Sequence, residues 1–340
     1  MECTDEGWIY DGKASSRLWA KSAIGLQLEQ NSLLLSDSEA LFCSIHRGID
    51  IPQDDWLQSC IEKNSRLLQE FTVLEALRYP GNKIMLSKNV VKSGREADVR
   101  SWALRWGSDA HPDREEAVSE IRWFSSTDSF DKNDLFDWSK KVLESGRFCE
   151  ILVVDDEHSV VTYRTMVCEP MGDLDSFSES DRRAISKMDY LTMENGSAFF
   201  PNTSQWPSEV VGIPLHSGRQ LDSCEMSIIE DNDAVVSNSS NKTSSVLLDL
   251  WGRGLHARPG FKYGARWRCY AGEIGDQHAP WLVIGPDEAP DDWEGACLSS
   301  RLASGVNKQW IIPVRKGTEW SYLEVARPPP DSRWSNPNRN

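Results

Sequence analysis

The 340-residue sequence has no run of apolar residues close to the ~18–20 that a membrane-spanning helix needs. Its first residues, Met1 to Gly7, are acidic and lack the apolar stretch of a secretory signal. We therefore expect a cytoplasmic protein with no membrane partner.

The sequence also has no cysteines at the spacing of a metal-binding motif. The eight cysteines form no CxxC pair, and no group of cysteine and histidine has zinc spacing. The sequence therefore predicts reduced, mostly buried thiols, no metal site and no cofactor.

Positive charge is scarce and unevenly placed. The chain has 37 Lys and Arg against 53 Asp and Glu, a balance that argues against a histone-like or membrane-surface protein. Residues 251–340 nevertheless carry 12 basic against 10 acidic residues, whereas residues 1–250 carry 25 against 43. The stretch 252–270 has no acid and five basic residues, namely Arg253, Arg258, Lys262, Arg266 and Arg268. We predict that this basic run faces a phosphate-bearing ligand.

Local patterns indicate mixed α/β structure. Apolar runs at 22–28 and 32–35 predict a small hairpin, and Ser36 with Glu39 forms a capping-box pattern that opens a helix. Residues 54–77 have helical spacing of apolar positions, which predicts one long amphipathic helix ended at Pro80-Gly81. The Trp content of 15 is high for this length and suits large cores or stacking surfaces.

The most informative feature is an internal repeat. LEALRYPG at 74–81 parallels LLDLWGRG at 247–254, and VLESGRFCEILVV at 142–154 parallels LASGVNKQWIIPV at 302–314. Each copy has the same order of helix, break, strand, charged turn and strand. We therefore predict two tandem α/β copies, each preceded by a smaller α/β region.

The predicted boundaries follow from this repeat and from composition. They are the small region 1–70, the first repeat domain 71–171, an acidic Ser-rich linker 172–181, the small region 182–245, the second repeat domain 246–327 and a flexible tail 328–340.

The second copy carries the most specific motifs. GFKYGARWRCY at 260–270, HAPWLV at 278–283 and RLASGVNK at 301–308 stand at spacings that resemble the C-terminal catalytic region of archaeal tRNA-splicing endonucleases. The first copy resembles the non-catalytic repeat of the fused, two-repeat form of those enzymes. The resemblance implies a restriction-endonuclease-like mixed-sheet α/β domain, with the first copy pseudo-catalytic.

The same resemblance implies the site residues. By motif position Tyr270, His278 and Lys308 correspond to the family's catalytic trio, and Arg301 to an arginine that packs on a bulged base. A second base-contacting residue belongs near the last strand, where Arg327 and Trp320 are both candidates. Lys262, Arg266 and Arg268 are the further substrate-binding candidates of the basic run.

The side chains of the trio suit RNA cleavage without a metal. Attack by the 2′-OH on the adjacent phosphorus needs a base, an acid for the 5′-oxygen and a cation for the phosphorane charge. Tyrosine assisted by nearby cations, histidine and lysine would fill these three roles. The expected products are a 2′,3′-cyclic phosphate and a 5′-OH.

The resemblance also implies partners: a precursor tRNA cut at both exon–intron junctions in a bulge-helix-bulge structure, and a second copy of the chain in a homodimer. The acidic turn Asp155-Asp156-Glu157 of the first copy is the expected dimer contact, docking into a basic pocket that draws on 253–268. In the first copy, motif alignment places Phe148 opposite Lys308 and Ser119 opposite His278, which removes the chemistry.

Two other functions stay open. A non-catalytic tRNA-binding or assembly subunit would have kept the fold alone, and the intact trio argues against it. A metal-dependent nuclease of related fold is the third possibility, which a cleavage assay in EDTA separates.

Overall fold

The computed structural model describes residues 1–50, 55–201, 203–231, 241–275 and 278–328. It confirms a mixed α/β fold. In the described residues, the first half contains a small region and then five strands that belong to a larger sheet. The bounds of its elements are β1 Glu2–Thr4, β2 Gly7–Tyr10, α1 Ser15–Ser22, β3 Leu26–Gln27, β4 Leu33–Leu35, α2 Asp37–Arg47, α3 Trp56–Lys63, α4 Leu67–Arg78, β5 Lys83–Leu86, α5 Ser87–Lys92, β6 Ala103–Trp106, β7 Ser119–Ser125, α6 Lys132–Glu144, β8 Phe148–Val154 and β9 Val160–Cys168.

The second half has the same order of strands, four in a small region and five in the larger sheet, but its described helices fall at partly different places. Its elements are α7 Glu179–Ile185, β10 Leu191–Thr192, β11 Ala198–Pro201, β12 Ile213–Leu215, β13 Gly218–Leu221, α8 Ser223–Glu230, α9 Lys242–Gly252, β14 His256–Pro259, β15 Trp267–Tyr270, β16 Trp281–Val283, α10 Trp293–Gly305, β17 Gln309–Lys316 and β18 Glu319–Ala326. Of the predicted tail, only residue 328 belongs to the described residues. None of the described helices is long and apolar enough to cross a membrane.

The sheets show how the halves join. Within the described residues, each small region has a four-stranded sheet, ordered β1-β2-β4-β3 and β10-β11-β13-β12. The larger sheet has ten strands in this part of the chain, in the order β14-β15-β16-β17-β18-β9-β8-β7-β6-β5. In each half the third and fourth of its five strands are parallel, and the other neighbouring pairs are antiparallel. Two copies of one unit, joined edge to edge through β9 and β18, would give this arrangement.

The cores follow the same division. One apolar cluster lies under each small region and its neighbouring strands, and a third lies between the halves. In this third cluster Trp293 of α10 stacks on Phe124 of β7, with ring centroids 4.7 Å apart. The predicted use of tryptophan in cores is thus seen in four fully buried indoles, those of Trp106, Trp138, Trp251 and Trp293.

Local predictions of the first half are confirmed at the hairpin and the capping box. β3 pairs with β4, and Ser36 and Glu39 exchange both bonds of the box at the start of α2. The single long helix is wrong, because the chain breaks between α3 and α4. There the Asn64 side chain accepts a hydrogen bond from the Arg66 N–H at 3.0 Å, a local bond that competes with the helix.

The segment 172–181, predicted as a linker, is bound to the second half. The N–H of Gly172 donates to the carbonyl of Arg253 at 2.9 Å, and Phe177 packs edge-on against Trp251. Ser178 and Asp181 form a capping box that starts α7. A polar composition predicts turns here, and it does not reveal that the backbone is fastened by hydrogen bonds.

Candidate active site

The register of the sheet brings the trio to one edge. Tyr270 is the last residue of β15. The residue before it, Cys269, pairs with Trp281, which is the first residue of β16. His278 lies just before β16, and Lys308 just before β17. Because β16 is antiparallel to β15 and parallel to β17, the end of β15 and the starts of the other two strands lie together. β15 and β17, the outer two of these three strands, lie two strand spacings of about 4.8 Å apart.

Hydrogen bonds fasten this edge. The ammonium of Lys308 donates to the carbonyl of Ala279, the residue after His278, and the Gln309 N–H donates to the carbonyl of Pro280 at 2.9 Å. Lys308 is half-buried and His278 is exposed. An ammonium has three N–H donors, so two remain for a substrate oxygen.

Cations lie beside the tyrosine, as its proposed chemistry needs. The guanidinium carbon of Arg268 is 5.7 Å from the centre of the Tyr270 ring, because alternate residues of β15 point to one face. On the neighbouring strand, His256 stands opposite Tyr270 and Arg258 opposite Arg268.

A buried polar cluster supports β14 from behind. The Gly212 carbonyl accepts hydrogen bonds from His256 Nε2 at 3.2 Å and from Arg258 Nη2 at 2.8 Å. The Gly212 N–H donates to the Glu225 carboxylate at 2.9 Å. Burial lowers the pKa of His256 to about 3 and that of Arg258 to about 10, and raises the pKa of Glu225 to about 7. His256 is therefore a neutral structural donor at physiological pH. The sequence patterns gave no sign of this cluster, whose members stand up to 46 positions apart.

The basic run is divided by the structure. Arg253 ion-pairs with Glu169 and Asp249, and Arg258 is buried, so these two stabilise the fold. Arg266 is exposed and lies 3.7 Å from the Glu288 carboxylate. Lys262 and Arg268 line a pocket next to the trio. The prediction of one continuous phosphate-facing run is thus wrong for Arg253 and Arg258, because each has an acceptor within the chain.

The base-contact candidates lie elsewhere along the sheet edge. Arg301 on α10 and Arg327 after β18 are both exposed and line one pocket of about 580 Å³, together with the acidic turn 155–157. Trp320 is buried at the opposite end of β18, and its indole N–H donates to Ser245 at 2.9 Å. A packed indole has no open face for a base, so Arg327 is the candidate that we retain.

The same register corrects the alignment of the first half. The Phe148 N–H donates to the Val118 carbonyl just as the Gln309 N–H donates to that of Pro280. Arg147, and not Phe148, is therefore the counterpart of Lys308, and Trp106, which ends β6, is the counterpart of Tyr270. Counting back from β7, Glu116 rather than Ser119 stands at the position of His278. The alignment by motif, which set the apolar run 151–154 against the run 311–314, was one residue out of register at β8 and three residues out before β7.

The first half thus lacks the functional groups of the trio. Arg147 is ion-paired with Glu120 at 3.0 Å and with Glu116 at 3.7 Å. Trp106 is buried, with its indole N–H on the Glu115 carbonyl. The positions of Tyr270, His278 and Lys308 are thus held by Trp106, Glu116 and Arg147, in keeping with a pseudo-catalytic unit.

We expect Tyr270→Phe to reduce RNA cleavage strongly, because the change removes only the hydroxyl that would accept the 2′-OH proton. Tyr263→Phe is the matched control, since Tyr263 stands in the same motif and the ring that faces Lys308 is kept. Single-turnover cleavage rates of the two variants decide the assignment. The reverse ranking would move the catalytic tyrosine by seven positions.

Comparison with known proteins supports the predicted resemblance. Residues 242–322 match the family model described as tRNA intron endonuclease, catalytic C-terminal domain, and this segment holds all three trio residues. A tRNA-splicing endonuclease of Picrophilus torridus is 28% identical over 176 residues, which cover 52% of this chain and 55% of that protein. A tRNA-splicing endonuclease of Thermoplasma volcanium is 30% identical over 117 residues, covering 34% and 38%. The chain thus spans about half the length, or less, of these curated relatives.

Proposed function

We propose that the protein is a tRNA-splicing endonuclease, because its residues 242–322 match the family model of the tRNA intron endonuclease catalytic C-terminal domain. Its substrate is a precursor tRNA, cut at both exon–intron junctions where the RNA forms a bulge-helix-bulge. The observation that carries the proposal is the convergence of Tyr270, His278 and Lys308 at one sheet edge, inside the matched segment.

The proposed reaction divides three roles among these residues. Tyr270 takes the proton of the 2′-OH as the 2′-oxygen bonds to phosphorus, and His278 gives a proton to the departing 5′-oxygen. Lys308 donates hydrogen bonds to the non-bridging oxygens, whose charge grows in the transition state. One P–O bond forms and one breaks, which leaves a 2′,3′-cyclic phosphate and a 5′-OH.

Arg301 and Arg327 are proposed as contacts for a bulged base. Their pocket shares no lining residue with the trio. The start of β17 and the end of β18 lie at the same edge of the sheet, since the two strands are antiparallel. An RNA that reaches both places therefore extends along this edge, over three strand spacings or about 15 Å.

A cleavage assay tests this function against its alternatives. A bulge-helix-bulge RNA should be cut at both junctions in the presence of EDTA, with cyclic phosphate ends. A fully paired RNA of equal length is the control and should stay intact. Loss of cutting in EDTA, restored by Mg²⁺, would favour the metal-dependent nuclease. Tight RNA binding without any cutting would favour the non-catalytic subunit.

We also propose that the protein is a homodimer and that the turn Asp155–Glu157 contacts the partner. The Asp155 carboxylate accepts the N–H groups of Glu157 and Ser159 at 3.0 and 2.8 Å, which shapes the turn. Its acids border the pocket of Arg301 and Arg327, yet among the described residues no ion pair joins these acids to either arginine. Carboxylates left without an ion pair in their own chain suit a basic surface of a second copy.

Replacing Asp155, Asp156 and Glu157 together by alanine should loosen the dimer and reduce cleavage. Removing one partner of a charged pair across an interface commonly costs a few kcal/mol of binding free energy. Sedimentation at moderate salt measures the dimer, and the same preparation is assayed for cleavage. A variant that remains a fully active dimer would show that the turn is only surface.

A further inference from the structure

A pocket of about 270 Å³ opens beside the trio. Its lining combines the cations of Lys262 and Arg268 with the rings of Phe261 and Tyr263 and with aliphatic side chains of β12, β14 and Ile274, while the buried Arg258 borders it from behind. Flat apolar surfaces next to cations are what single-stranded nucleic acids bind, since bases stack while phosphates meet positive charge.

Two of its walls touch the trio. The Lys308 ammonium lies 5.7 Å from the centre of the Tyr263 ring, and Arg268 lies at the same distance from the Tyr270 ring. A ligand in the pocket is therefore next to the groups that would act on the phosphodiester.

Arg268 has an unfilled hydrogen-bonding position. Its Nε atom is buried and has no acceptor in the part of the chain that the structure describes. A buried donor without a partner is costly, and a phosphate oxygen would be a charged acceptor for it. Arg258 is different, because its guanidinium already donates to Gly212.

Phe261 offers an open ring at the rim. It begins the short 3₁₀ turn Phe261–Tyr263 and is 80% exposed. A single exposed aromatic is common on a protein surface. Here, however, Lys262 follows it directly and Tyr263 lines the same pocket, so the ring stands where a base would stack.

The far wall comes from the small region. Ile213 and Pro214 belong to β12, and the preceding Gly212 binds β14 through its carbonyl. Gly212 has φ +72°, and a Cβ there would stand 2.5 Å from a methyl of Leu221. A glycine is thus needed at the point where the small sheet is held against the pocket.

We infer that this pocket holds the ribonucleotide adjoining the cleaved phosphodiester, with its base against Phe261 and Tyr263 and its phosphate on Lys262 and Arg268. The inference rests on the proposed function and adds a specificity element to it. A base paired within a helix cannot enter such a pocket, so the pocket selects an unpaired nucleotide at the cut.

The test combines one variant with one modified RNA. Wild type and Phe261→Ala are compared on intact bulged RNA and on two RNAs that lack the base on one or the other side of the cut. Loss of one stacked base should reduce single-turnover cleavage by about tenfold, within the range for base–aromatic stacking. Phe261→Ala should show this loss on intact RNA and no further loss on one of the abasic RNAs. Tyr79→Ala, an aromatic that is 82% exposed in the first half, is the matched control and should leave all rates unchanged.

The outcomes separate the two proposals. The pocket proposal would be overturned if Phe261→Ala lost the same factor in cleavage rate on the intact RNA and on both abasic RNAs, or lost nothing on the intact RNA. The endonuclease assignment would stand in either case. Wild type that cuts no bulged RNA would overturn the proposed function. RNA affinity, measured by fluorescence anisotropy on the same set of RNAs, then still decides whether Phe261 contacts that base.

Discussion

Lys308→Ala is expected to reduce single-turnover cleavage about a hundredfold or more, with RNA affinity changed little. The lysine would bind non-bridging oxygens whose charge increases in the transition state, so its removal acts on the rate more than on binding. Its position fits the role, because it is half-buried and hydrogen-bonded beside His278, with two donors left for substrate.

Arg315→Ala is the matched control for this experiment. It removes one positive charge from the other end of the same strand, where Arg315 is exposed. A rate loss below about tenfold for Lys308→Ala, which is roughly 1.4 kcal/mol of barrier, would show that Lys308 is misassigned. Equal losses for both variants would point to net charge rather than to a placed ammonium.

Glu150→Ala is expected to destabilise the protein by about 3–5 kcal/mol, because it leaves the buried Arg105 without its counter-ion. Both side chains are at most 1% exposed, and the carboxylate accepts Arg105 Nε at 2.6 Å and Nη2 at 2.8 Å. Ser119 donates to the same carboxylate at 2.7 Å. The network thus connects β6, β7 and β8, which in the second half are joined by apolar contacts of Cys269, Trp281 and Ile311.

Urea unfolding measures this effect, and Asp287→Ala supplies the contrast. Asp287 pairs with Lys242 at 2.7 Å, but both side chains are more than half exposed, and such pairs contribute up to about 1 kcal/mol. In addition, Glu150→Leu with Arg105→Leu should be less destabilising than Glu150→Leu alone. If the free energy of unfolding of Glu150→Ala lies within about 1 kcal/mol of the wild-type value, the buried pair does not stabilise the first half.

The local predictions that are confirmed depend on contacts between residues close in the sequence. The capping box of Ser36 and Glu39 depends on residues three apart, and it is present as predicted. The break between α3 and α4 depends on a side-chain bond that helical periodicity does not include. The attachment of the predicted linker 172–181 to the second half likewise lies beyond local patterns, because its partners Arg253, Gly254 and Trp251 lie more than 70 positions away.

By itself the sequence determined the mixed α/β class and the motif that carries Tyr270, His278 and Lys308. These depend on periodicity and spacing, which are properties of neighbouring residues. Only the tertiary structure decided that Arg147 and Trp106 stand at the Lys308 and Tyr270 positions of the first half, since pairing register is a relation between strands. It also decided which arginines of the basic run remain for a ligand. Arg253 is ion-paired with Glu169, and the buried Arg258 donates to the Gly212 carbonyl, a bond that is kept because leaving a buried guanidinium without an acceptor is costly.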